Sequence, residues 1–264
     1  MLLALSGFLF EERYRAQSVS FARFCRIARS AGYGGVELRR TQIAPDAPPA
    51  RRQELADIVR GEGLTVTCLT ARGLPAGGDE RDAFLDRYLE LCADLDCRLL
   101  KISSDPAWLP EAAERAQAYG VMLAGNNHVG SALQTVAGTR RLLSQVAHRN
   151  YGLLYDSAHL YMAGEDYLGC IPSLLPHMRN VLMHSFRQAA GDEPPFLVHD
   201  GQGWINALPD ARGVQDWPAI LSACRRHGYD GLITVIESGW SAGRREDVAR
   251  RNADSIHRWW DRAS

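Results

Sequence analysis

Lysine is almost missing from this chain: of 30 basic residues, 29 are arginine and Lys101 is the exception. Such a bias is most simply a genome-composition effect, so the lone ammonium invites the question of what needs it. A surplus of either charge is also missing. The 30 basic and 31 acidic side chains leave a net charge of −1, which speaks against the basic footprint of a nucleic-acid binder. No apolar run is long enough to cross a bilayer. The greasy opening 1–10 has no basic n-region and no clear cleavage site, and Glu11 and Glu12 follow at once. It reads as a first strand rather than a signal peptide. Cys25, Cys68, Cys92, Cys97, Cys170 and Cys224 form no CxxC pair. With no export signal they read as buried reduced thiols, and the expected compartment is the cytoplasm. Linkers, charge blocks and low-complexity stretches are lacking, so a single domain over 1–264 is expected.

What the chain does have is a repeat of apolar strand and amphipathic helix. Strands are predicted over 2–9, 35–39, 64–71, 99–103, 121–127, 151–156, 180–186 and 232–238. Helices are predicted near 20–31, 50–62, 80–94, 107–119, 135–147, 164–176, 216–228 and 243–260. Gly32, Gly61, Gly63, Gly120 and Gly228 stand where helix C-caps are wanted, while Ser20 and Asp216 stand where N-caps are wanted. Alternating βα units favour a parallel sheet with helices outside, and eight of them in this length predict a (β/α)8 TIM barrel. A doubly wound sheet is disfavoured because no GxGxxG follows the first strand. The segment 187–215 shows no clear periodicity and is rich in Gly, Pro, Asp and Asn. It follows strand 7 on the face where barrel sites form, so we expect a lid.

Reactive groups in a barrel project from the C-terminal strand ends. Those ends read Glu37, Lys101, Asn126 with His128, Asp156, His184 and Glu237. Charges inside apolar strands are costly unless paired or bound to an ion. Two carboxylates, an imidazole and an amide oxygen at one mouth would suit one divalent ion among Mn, Mg, Co, Fe and Zn. The alternative is a buried Asp156–His184 hydrogen-bonded pair without metal.

Several segments resemble the xylose-isomerase-like barrel family: Asn126-Asn-His-Val-Gly130, Gly152-Leu-Leu-Tyr-Asp-Ser-Ala-His159, Val181-Leu-Met-His184, Gly228-Tyr-Asp-Gly-Leu-Ile-Thr-Val-Ile-Glu237 and Gly32-Tyr-Gly-Gly-Val-Glu37. That family contains sugar-phosphate isomerases/epimerases, hydroxypyruvate isomerases, inosose and dehydroshikimate dehydratases and endonuclease IV. The resemblance implies a metal held by residues of strands 5 to 8, here Asn126, Asp156, His184 and Glu237. Asn126 departs from the pattern, since a Glu is expected there. An amide ligates through its carbonyl oxygen but is no base, which disfavours a two-base epimerisation. A one-base reaction remains, in which Glu237 removes the proton, an enediolate forms, and Glu237 itself, His128 or water returns the proton. His159, Glu37, Lys101 and Arg187 are the substrate-binding candidates, Arg187 for a carboxylate or phosphate. The implied activity is isomerisation or epimerisation of a small hydroxy-carbonyl compound. The alternatives are an inosose or sugar-acid dehydratase on the same site, and a ligand-binding barrel that has lost its chemistry. The charge balance and the lack of a long apolar run predict no nucleic-acid or membrane partner, and homo-oligomers are common in the family.

Rival readings are weaker. Lys101 as a Schiff-base nucleophile is explained more cheaply by a pair with Glu37. Gly239–Gly243 matches the GxSxG nucleophile elbow, but too little chain follows for the acid and histidine of an α/β-hydrolase. Strand 3 offers only Cys68 and Thr70, too few groups for a three-zinc nuclease.

Overall fold

The computed structural model describes residues 1–12, 14–102, 105–237 and 244–263. Eight parallel strands close a barrel: β1 (Leu2–Ser6), β2 (Gly35–Arg39), β3 (Thr65–Thr70), β4 (Leu99–Lys101), β5 (Met122–Asn126), β6 (Tyr151–Tyr155), β7 (Met178–Met183) and β8 (Leu232–Val235), with β8 returning to β1. The expected (β/α)8 TIM barrel is what the chain forms.

Helices fill the crossovers. In α1 (Phe21–Ser30), Phe21, Phe24, Cys25, Ile27 and Ala28 recur at helical spacing and are buried against the sheet. Ser20 Oγ accepts from Arg23 N at its start, and Gly32 at φ +90° follows its end. The remaining crossover helices are α2 (Pro49–Gly61), α3 (Gly78–Asp94), α4 (Leu109–Ala118), α5 (Val136–Val146), α6 (Ser157–Met162), α7 (Ile171–Leu174), α8 (Trp217–Arg226) and α9 (Arg245–Arg262). Asp216 caps α8 by accepting from Ala219 N at 3.0 Å. Trp259 and Trp260 on α9 pack, partly buried, against the core. Among the described residues, no helix is long and apolar enough to cross a membrane.

Four local expectations are corrected. Gly61 is the last residue of α2, and Gly63 at φ +65° takes the left-handed position. The first strand stops at Ser6, whose Oγ accepts from Phe8 N and turns 7–10 into a 3-10 helix. Of the helix expected over 164–176 only α7 and the start of a 3-10 turn at Leu175–His177 form, while a separate short helix, α6, begins immediately after β6 under the Asp156 cap. The stretch 187–215 is not irregular throughout. Phe186–Gln188, Leu197–His199 and Gln202–Asn206 form an antiparallel sheet with the third strand in the middle. Its tight turn is Asp200-Gly201, both at positive φ, as a two-residue hairpin loop of matching twist requires. The Gly239–Gly243 motif lies outside the described residues.

Strand alternation assigns every side chain to one of two layers. Leu123, Leu153, Val181, Ile233 and Val235 face the helices, in the large core. Cys68, Leu99, Ala124, Leu154, Leu182 and Ile236 form a separate apolar cluster inside the barrel. That inner cluster is the floor of the mouth, and the residue two places on from an inner one shares its face. The rule places Thr70, Lys101, Asn126, Asp156 and His184 at the mouth.

Candidate active site

Above the floor lies a cavity of about 520 Å3, walled by Lys101, Asn126, His128, Asp156, His159 and His184 on its polar side. Phe8, Phe186, Phe196 and Ile236 supply apolar walls. Phe196 and its neighbours Pro195 and Leu197, at and just before the Leu197–His199 strand of the small sheet, also line the cavity.

Asp156 is fully buried at the N-terminus of α6. Its Oδ1 accepts from Ala158 N at 3.1 Å and His159 N at 3.4 Å. Its Oδ2 has no hydrogen-bond partner and lies 3.8 Å from both His184 Nδ1 and His159 Nε2. Burial opposes the charge of Asp156, but the facing histidines and Lys101 outweigh it and hold the carboxyl below the usual range.

The histidines differ in what fixes their protons. His184 Nε2 donates to Asn206 Oδ1 at 3.0 Å, and its Nδ1 is buried without a hydrogen-bond partner. Asn206 comes from the small sheet, so that sheet orients the imidazole. His159 Nδ1 accepts from Val129 N at 3.4 Å, which leaves its proton on Nε2, facing Asp156. Burial drives His159 far below the ordinary imidazole value, against the pull of the facing Asp156. His128 donates from Nδ1 to Val129 O at 2.7 Å, leaving Nε2 as a base. Desolvation by the surrounding wall lowers its pKa as well. Its ring lies 3.9 Å from that of His159, centroid to centroid.

Asp156, His159 and His184 could hold a metal ion: one ligand atom from each lies within 4.8 Å of the others. Asp156 Oδ2 and His184 Nδ1 fit a cation best, being two buried ligand atoms that face one another across 3.8 Å, each without a hydrogen-bond partner. Asn126 gives its Nδ2 to Asn127 O, so its carbonyl oxygen is what it offers to the cavity.

Glu237 does not join them. It lies on the same face as Val235, against the helix layer, and Ile236 occupies the inward position of strand 8. Its charge is felt by Tyr33, whose hydroxyl donates to Ala249 O on α9. Both Glu237 oxygens are buried without a partner among the described residues, and burial pushes its carboxyl far above the usual range. The expected metal ligand and base is thus displaced by a one-residue difference in parity. Arg187 is corrected too: it points away from Phe186's face of the hairpin and binds Glu193 with two bonds of 2.7 and 2.8 Å. Glu37 lies beneath the cavity surface, fully buried, accepting from Thr70 Oγ1 at 2.7 Å, with Arg39 Nη1 3.8 Å away. Lys101 does line the cavity. Sequence reasoning missed Asn206, Arg39 and Ile236. Only Ile236 carried a usable signal, the strict alternation of strand 8.

Comparison with known proteins agrees with this architecture. A model of the xylose isomerase-like TIM barrel family matches residues 25–259. Over 132 residues the chain is 29% identical to an inosose dehydratase of Lacticaseibacillus casei, covering 48% of this chain and 44% of that protein. The chain therefore matches less than half the length of this curated relative. Among solved structures, the probable 3-DHS dehydratase AsbF of Bacillus anthracis superposes with a TM-score of 0.77 at 15% identity, covering 97% of this chain and 99% of the other. The IOLI protein, solved with a zinc atom, superposes with a TM-score of 0.73 at 17% identity, covering 100% and 98%. The chain belongs to the xylose isomerase-like TIM barrel family.

Proposed function

We propose that this barrel is an enzyme that removes a proton next to the carbonyl of a small hydroxy-carbonyl compound, with loss of water as the outcome. The observation that carries this reading is the buried pair Asp156 Oδ2 and His184 Nδ1, 3.8 Å apart, each without a hydrogen-bond partner. The likeness to an inosose dehydratase supports the choice of dehydration over epimerisation.

A divalent ion, when held by Asp156 and His184 with the Asn126 carbonyl oxygen, would polarise a substrate carbonyl as a Lewis acid. The chain's own groups do the rest. His128 Nε2 is unprotonated and accepts the proton from carbon. The same ring returns that proton to the departing hydroxyl, so the C–H and C–OH bonds break, a C=C bond forms and water leaves. His159 donates its Nε2 proton as a hydrogen bond to a substrate oxygen. Phe8, Phe186, Phe196 and Ile236 keep bulk water from the intermediate, with the 186–206 sheet acting as a lid. With inner positions 126 and 236 occupied by Asn and Ile, Asp156 is the one carboxylate lining the cavity among the described residues, and a two-carboxylate epimerisation is not supported. The six buried free thiols suit a reducing compartment, so we place the reaction in the cytoplasm.

The test is metal per chain, together with turnover of inososes and related hydroxyketones followed by ultraviolet absorbance of the enone. We expect near one divalent ion per chain in the wild type, and loss of both metal and turnover in Asp156→Asn. Metal-free wild-type protein that is not stabilised by added Mn²⁺ would overturn the metal site.

A second reading is favoured by Asn126 and Ile236 themselves: a barrel that keeps the pocket and binds a polar ligand without converting it. Saturable binding of a hydroxyketone with no turnover in any metal would select it.

A further inference from the structure

Beside the reaction cavity lies a second one of about 430 Å3, at the ends of β2 and β3. Tyr14 and Arg39 wall both cavities, so the two adjoin. Its lining includes four arginines, Arg15, Arg39, Arg40 and Arg72, and a single carboxylate, Glu11. Glu11 is already committed: one oxygen accepts from Arg39 Nε at 2.8 Å, the other from Thr41 Oγ1 at 2.6 Å. Among the described residues no carboxylate lies within 4.0 Å of Arg15, Arg40 or Arg72.

All three arginines are exposed at the rim of the cavity, and close contacts fix two of them there. Gly73, at φ +84°, passes so close to Arg40 that a Cβ there would sit 3.2 Å from Arg40 Nη1. The Arg72 guanidinium lies 4.0 Å from the Tyr14 ring centroid, and that ring stacks on Phe8 at 5.5 Å. Tyr14 itself has φ +60°, unusual for a bulky residue and a strain that persists where surrounding contacts impose it. The tyrosine is the partition between a wall of arginines and a wall of histidines.

We infer that the Arg15–Arg40–Arg72 cavity binds a doubly charged oxyanion, phosphate being the type, carried by the same molecule whose carbonyl end enters the Asp156–His184 cavity. Three exposed guanidiniums lining one cavity with no carboxylate partner attract an anion of more than one charge over a monocarboxylate, which could pair with only one of them. Planar forks match the oxygen geometry of phosphate. The assignment rests on the neighbouring cavity being the reaction site, but the binding itself does not.

Calorimetric titration with inorganic phosphate, and separately with acetate, at fixed ionic strength tests it. We expect a single phosphate to bind per chain in the millimolar range, weakening as chloride rises. Arg40→Met with Arg72→Met should weaken phosphate at least about tenfold, whereas Arg98→Met, an exposed arginine elsewhere, should leave it unchanged. Binding should persist in Asp156→Asn, which separates this site from the metal reading. No phosphate binding, equal binding in the double variant with its circular dichroism intact, or acetate binding as tight as phosphate would each overturn the proposal.

Discussion

Strands β5 to β7 and strand β8 reach the same mouth by the same alternation, yet they deliver opposite chemistry. Asn126, Asp156 and His184 each stand two residues beyond an inner apolar neighbour, Ala124, Leu154 and Leu182. On strand β8 the equivalent inward position is Ile236, and its amide donates to Met183 O at 3.0 Å, continuing the ladder. One wall therefore offers buried ligand atoms that a cation could bridge, and the other offers an apolar side chain. Position in the barrel alone does not make a site. The side-chain type at the inward register does, and a carboxylate one residue out of register belongs to the helix layer.

The largest expected effect on this contrast comes from His184→Ala. Removing the imidazole should abolish metal retention and turnover together, and metal analysis on the folded variant checks it. Metal held at the wild-type level would show that the histidine wall does not bind the ion. A smaller effect is expected from Asn206→Ala, which touches the ion only through His184 Nε2. Loss of such an orienting partner typically costs about 10- to 100-fold in metal affinity. A competition titration with a chelating dye should show that drop without a change in fold, and no drop would mean that the imidazole needs no support from the lid.

Much of this was legible in the sequence, and the exceptions have physical causes. The strand–helix alternation is written in periods of 2 and about 3.6, and it survives into the eight-strand barrel. Asp156 and His184 were found because a charged or imidazole group in an apolar strand needs a reason. Glu237 was misplaced because strand-end counting treats adjacent residues alike, while the pleat sends them to opposite faces. The small sheet was missed because its strands are short and half-exposed, although Asp200-Gly201 is a strong hairpin signal. Asn206 meets His184 across 22 residues of chain, and no local pattern announces such a contact. Arg187 looked free only because Glu193 pairs with it across the turn of an irregular loop. The arginine cavity gathers Glu11, Tyr14 and Arg15 with residues at the ends of β2 and β3, and in an arginine-rich chain no single one of them stands out.

Glu237→Gln gives the smallest effect and the sharpest test of the parity argument. Its carboxyl is buried against the helices with no partner among the described residues, and burial raises its folded pKa well above the unfolded value near 4.3. Between those two values the unfolded chain has released the proton while the folded chain keeps it, so unfolding becomes easier as pH rises. Glutamine keeps the shape and polarity of the neutral acid without that penalty. The variant should therefore melt higher than wild type at pH 7, with the difference shrinking as pH falls toward 4, and its metal content and turnover should match wild type. Loss of metal in this variant would place the carboxylate back inside the mouth and remove the distinction between Ile236 and Glu237 on which the one-base chemistry depends.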